Sequence, residues 1–165
     1  MNVELARQRF IDTFRIVGRE ERHLSYSREK LFSAELTPER LARLDDDPEL
    51  AETIEAFASR FGRMQDTMAG KLFPRLLQAQ AEPVGSQLET LNRIEKLGLL
   101  DSVEQWLEAR ELRNRLIHEY VEKMDQFKKD LDLARDYTRV LHQTHQRIGD
   151  YATRIMNLTP EDLGQ

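Results

Sequence analysis

Asp101–Val121, DSVEQWLEARELRNRLIHEYV, is the stretch on which the reading of this chain turns. No Gly or Pro interrupts it, and Asp101 or Ser102 offers a cap, with Glu104 at capping-box distance from Asp101. Val103, Trp106, Leu107, Ile117 and Val121 recur at helical spacing, which predicts one buried face. At about 100° per residue those side chains cover roughly a third of the circumference, and Arg113 points into the same arc. A guanidinium there needs a partner or water to offset its lost hydration. Asn114 and His118 stack four residues apart at the edge of the arc. Tyr120, seven residues beyond Arg113, stands almost directly above it. Four polar groups therefore gather on or beside a surface that packs.

The surrounding composition suits such a helix. One third of the 165 residues are charged, with 7 Gly and 5 Pro, a profile of amphipathic helices. The length is enough for one domain to bury its own core. Residues 1–158 are read as that single helical domain and 159–165 as a flexible C-terminal tail. There is no cysteine, which excludes a disulfide scaffold, a thiolate metal site and a thiol nucleophile. No signal peptide or long apolar run is present, so a soluble, cytoplasmic protein without membrane contact is expected. A net charge of −5 argues against a general nucleic-acid binder, leaving any such role to a local site.

Outward from the central stretch, the periodicity predicts further helices. Residues 3 to about 34 carry Leu5, Phe10, Phe14, Val17, Leu24 and Leu31 on one face, with Gly18 a soft point. Thr37-Pro38 opens a short helix through Leu44, and Asp47-Pro48 repeats the signal. The run Asp45-Asp46-Asp47 reads as a helix cap, because a calcium loop needs its full ligand spacing and a glycine turn. A second long helix, 49 to about 79, has Ile54, Phe57, Phe61, Met64, Met68, Leu72 and Leu76 on one side. Gly62, Gly70 and Pro74 are expected to bend or divide it. Ser86, with Glu89, caps a helix that runs to Leu97 and stops at Gly98. Residues 122–127 are ambiguous between helix and turn. A last helix, about 128–156, buries Leu131, Ala134, Val140, Leu141, Ile148 and Ile155. Its His142 and His145 lack an obvious third ligand, so a structural or solvated pair is favoured over a metal site. The sum is an all-α, up-and-down bundle of five to six helices.

The run Arg113-Asn114-Arg115-Leu116-Ile117-His118-Glu119-Tyr120 resembles the signature of the HEPN superfamily, and in particular its HepT branch. That signature is Arg, a polar residue, three more, His, any residue, Tyr. The likeness is confined to this helix, and the earlier helices match only in helical character. It implies a HEPN-like bundle that forms a homodimer, with the motif helices of two protomers lining one cleft. It further implies a metal-independent endoribonuclease toxin that needs no cofactor and takes RNA, including tRNA, as substrate. A separate MntA-like nucleotidyltransferase would be its antitoxin partner. Tyr120 would then be the hydroxyl that receives AMP, an AMPylation that silences the nuclease.

The chemistry is consistent with these residue types. RNA carries its own nucleophile, the 2′-hydroxyl, so cleavage needs proton transfer and stabilisation of the phosphorane. His118 fits proton transfer. Arg113 fits the phosphate, and Asn114 fits orientation of the imidazole or substrate. On an ideal helix Arg113 and His118 are about 140° apart, which a two-fold dimer remedies by bringing copies from both chains together. Two other readings use the same residues. One is a non-catalytic, substrate-binding partner of a nucleotidyltransferase. The other is a purely structural helix, in which Arg113 pairs with a glutamate of another helix and Tyr120 packs with its hydroxyl wet.

Overall fold

The caps read from the sequence set most of the helix starts. In the computed structural model, which describes residues 2–119 and 123–165, Asn2 opens α1 (Val3–Leu31), its Oδ1 accepting from Glu4 N at 2.8 Å. Thr37 accepts from Arg40 N to open α2 (Pro38–Ala42), and a 3₁₀ turn over Leu44–Asp46 follows. Asp47 Oδ1 accepts from Leu50 N at 3.1 Å and starts α3 (Pro48–Thr67), so the last aspartate of the acidic run is a cap. Ser86 accepts from Glu89 N to begin α5 (Gln87–Lys96), and Gly98, at φ +78°, ends it in the left-handed conformation that glycine adopts without strain.

Between α3 and α4 (Phe73–Ala79) the helix does not break. Met68–Leu72 forms a π turn, in which Phe73 N–H bonds to Met68 O five residues back. Pro74 explains it. Proline has no N–H for the Gly70 carbonyl and its ring crowds that oxygen, so the helix widens by one residue to pass it. The division expected at Gly62, Gly70 and Pro74 is thus a local widening.

α1 packs along α3 and α4, and α7 (Met124–Ile155) packs on α1, α3 and α6 (Val103–Glu119). The shared core holds Phe10, Phe14, Phe57, Phe61, Met64 and Leu141, all buried, and Trp106 tilts against Phe73 at 5.1 Å between ring centres. The chain is an all-α helical bundle, with no strand among the described residues. None of the described helices is long and apolar enough to cross a membrane.

Three expectations need correcting, and part of one open stretch is settled. Leu5 and Ile155 are exposed, near the ends of their helices, while the adjacent Ala6 and Met156 are the residues turned inward. α1 ends at Leu31 and α2 at Ala42, earlier than expected. Met124–Phe127, in the ambiguous stretch, is helical, while Tyr120, Val121 and Glu122 lie outside the described residues. Residues 159–165, expected as a loose tail, fold back on α1. Leu158 and Leu163 are buried, Thr159 and Asp162 cap each other, and Arg15 donates to Asp162 O at 2.9 Å and to Glu161 O at 3.1 Å. Two apolar side chains and an arginine clamp account for this.

His145 joins α7 to α1 inside the bundle. Its ring stacks on Phe14 at 4.2 Å and its Nε2 lies 3.3 Å from Phe14 O. Burial holds its pKa below the ordinary 6.5, outweighing the Phe14 carbonyl and Glu21, which pull it upward. The unfolded chain therefore takes up a proton near pH 6.5 that the folded chain resists, and stability falls as pH drops through that value. His145→Phe keeps the stacking and removes the titrating group. Urea unfolding between neutral and mildly acidic pH is expected to show a shallower loss of stability in the variant; an equal slope in both proteins would contradict the assignment.

Candidate functional site

α6 begins with Ser102, whose Oγ accepts from Gln105 N at 3.1 Å, while Glu95 Oε2 accepts from Val103 N at 2.6 Å. Asp101, the other candidate cap, instead pairs with Arg147 of α7 at 2.6 Å. From there α6 buries Val103, Trp106, Ala109, Leu112 and Leu116 against α3 and α7. These recur mainly at i+3, so the buried stripe rotates around the helix as it advances, by about 60° per step. By the end of α6 the stripe has turned away from Ile117, which is 61% exposed rather than buried as expected.

Arg113 lies at the border of that stripe, and its surroundings were not legible beforehand. Its stem crosses α3 at Gly62, where a Cβ would meet Arg113 Nε at 2.6 Å and Cδ at 3.1 Å. Its NH1 donates to Asp66 Oδ1 at 2.8 Å, one helical turn further along α3. The side chain retains 29% of its exposure, and that of Asp66 55%. The guanidinium is thus held by a carboxylate but still open to water. Beside it, Ile54, Ala58, Leu116, Ile117 and Phe127 line a mainly apolar groove of about 350 Å³, with Glu55 and Ser59 also on its wall.

Asn114 and His118 are both exposed, on the side of α6 facing solvent. The fold brings Arg113, Asn114 and His118 onto one helix with all three reachable from outside, but it does not place Arg113 against His118 within one chain. Tyr120 lies outside the described residues. Arg115 is oriented by α7, its Nε 3.3 Å from Asp130 Oδ2, and that aspartate is almost fully buried.

Sequence reasoning missed the residues that fix α6 in place. Asp66 and Gly62 are 47 and 51 positions from Arg113, too distant for any local pattern to show. Gln65, also buried, donates to Ala109 O at 3.3 Å. Tyr137 of α7 donates to Glu108 Oε2 at 2.6 Å, and burial together with that carboxylate pushes its pKa up to about 12, so it stays a donor. The one available signal was Gly62 inside an otherwise strong helix, a position where a close approach is a standing reason for glycine.

Comparison with protein-family models, with characterised proteins and with solved structures finds no match to this chain.

The Arg113–Asp66 pair and Gly62 form a testable unit. Asp66→Asn is expected to destabilise the chain by about 1 kcal/mol or less, as for other solvent-open ion pairs. In a Gly62→Ala background, where the added Cβ displaces the Arg113 stem, the same change is expected to have no effect. Undiminished coupling in that background, measured by urea unfolding, would show that the pair does not need the stem to lie on Gly62.

Proposed function

We propose that this chain is a HepT-like HEPN endoribonuclease toxin that cuts RNA without a metal ion in a cleft shared by two copies. The observation that carries the reading is the presentation of the motif. Asn114 and His118 are exposed and Arg113 is open to water on a single helix, beside a mainly apolar groove and an exposed Ile117. A second copy seated on that apolar edge would bury Ile117 and bring a second α6 alongside the first. In such a cleft His118 moves the proton and Arg113 binds the phosphate. Asn114 orients the imidazole or the RNA. The aspartate on Arg113 engages NH1, leaving the other guanidinium N–H groups for a phosphate.

In the proposed regulation, an MntA-like nucleotidyltransferase directs the Tyr120 hydroxyl at the α-phosphorus of ATP. A phosphodiester to AMP forms, pyrophosphate leaves, and the phenolic proton passes to a base of that partner. The added phosphate would occupy the place of RNA phosphate beside Arg113.

A second reading is favoured by one observation, the Asp66 carboxylate on Arg113, which gives the guanidinium a partner within the chain. On that reading the chain is a non-catalytic helical partner that binds substrate for a nucleotidyltransferase.

Purified protein incubated with total RNA and with tRNA in EDTA separates the two. Cleavage is expected for the wild type, reduced about 10²-fold or more in His118→Ala and strongly in Arg113→Ala. Intact RNA with all three proteins would leave the binding-partner reading. After co-expression with a cognate nucleotidyltransferase, mass spectrometry is expected to find an AMP adduct on wild type and none on Tyr120→Phe. An unmodified wild type would remove the regulatory part alone.

A further inference from the structure

A second concentration of charged side chains lies away from the motif helix. Although the chain carries a net charge of −5, the groove between α1 and α7 is walled by cations. Arg15, Arg19 and Arg22 stand on successive turns of α1, roughly 6 and 4.5 Å apart along its axis. His142 and Gln146 face them from α7, and Leu163, Gly164 and Gln165 of the folded-back tail close one side. The space holds about 630 Å³, within the range of small-molecule sites. A smaller recess of about 340 Å³ adjoins it across Glu21 and His142 and adds Arg28 and Arg139.

Among the described residues Glu21 is the only acidic side chain lining either space. It is already engaged: Ser25 Oγ donates to its Oε1 at 2.9 Å, and His142 Nδ1 approaches the same oxygen at 2.9 Å, out of line for a good hydrogen bond. The cations are not engaged to the same degree. Arg15 spends its Nε and one NH2 on the tail carbonyls. Among the described residues Arg19, Arg22 and Arg139 form no ion pair, and the Nε of Arg28 is buried without a hydrogen-bond partner.

Guanidinium groups gathered around a concave space repel one another unless an anion joins them, and their planar forks match phosphate oxygens. Cations repeated on successive turns fit phosphates linked in series better than one isolated phosphate. We propose that the α1–α7 groove is a binding site for a small ligand carrying two or more linked phosphates. Arg19 and Arg22 are its main contacts, with His142 and Gln146 opposite. Arg15 holds the tail as the closing wall. The site is independent of Arg113 and His118, so it stands whether or not the ribonuclease reading does.

Isothermal titration with inorganic pyrophosphate, ADP and inorganic phosphate tests it directly. Saturable binding of pyrophosphate, tighter than that of phosphate, is expected, and a further gain with ADP would show that the ligand extends beyond its phosphates. The double variant Arg19→Gln/Arg22→Gln is expected to weaken pyrophosphate binding at least tenfold. Both side chains are exposed, so its unliganded melting temperature should match wild type. Arg154→Gln, an exposed α7 arginine outside the groove, is expected to bind like wild type, as is His118→Ala. Absence of saturable binding, retention of it in the double variant, or equal loss in Arg154→Gln would each overturn the proposal. So would binding of a single-stranded oligonucleotide through Arg19 and Arg22 with no binding of pyrophosphate.

Discussion

Helix α6 has to bury Trp106, Ala109, Leu112 and Leu116 while carrying a guanidinium at the border of the same face, and the missing side chain at Gly62 reconciles the two demands. A cation pressed against a packed interface normally loses hydration that nothing returns. Here the stem of Arg113 lies in the space a Cβ would take on α3, so its methylenes pack while its head reaches Asp66 and water. The close approach lets Gln65 reach the Ala109 carbonyl, and Tyr137 fastens Glu108 from the other flank. The placement of Arg113, Asn114 and His118 follows from how α6 is seated on α3 and α7.

That seating shows what the chain's local patterns convey and what they cannot. Capping is a contact between neighbours in sequence, and Thr37, Asp47, Ser86 and Ser102 each cap a helix as their context indicates. The large apolar residues of α1, α3 and α7 likewise fell mostly where a 3.6-residue period puts them. Ile117 did not. A stripe read from the bulkiest residues of α6 assumes a fixed face, whereas the buried stripe advances by threes and rotates, with Ala109 and Leu112 at its centre. Which way a helix crosses its neighbours is a tertiary property, so it leaves little trace in a single helix. The same holds for the pairing of Arg113. A glutamate of another helix is the partner the sequence suggests as one alternative, whereas the contact is to Asp66 of α3. The tail is a third case: Pro160 and Gly164 read as loose, yet Gly164 supplies the positive φ of a turn against Arg15.

Charge is distributed unevenly, and this shapes what each face can attract. Between 101 and 125 the sequence holds seven acidic and four basic residues. Of those basic residues, Arg113 and Arg115 lie against carboxylates of α3 and α7. The groove between α1 and α7 is the reverse, with arginines in excess over Glu21 among the described side chains that line it. A chain that is acidic overall can in this way present a strongly cationic groove, because an anion at close range responds to the groups lining the groove more than to the sum over 165 residues.

The Asp66 contact weighs on the ribonuclease reading, and its magnitude determines how heavily. A pair with more than half of the aspartate exposed contributes little, on the order of 1 kcal/mol or less, because water competes for both partners. A phosphate brought into a cleft that excludes water would interact more strongly with the same guanidinium. The carboxylate also restricts the rotamers of a long side chain, which lowers the entropy lost when a ligand binds. Had Arg113 been sealed within the bundle, the aspartate would have been a permanent partner and the helix a structural one. Left open, the same contact is compatible with an arginine held in readiness, with Asp66 as its positioning residue.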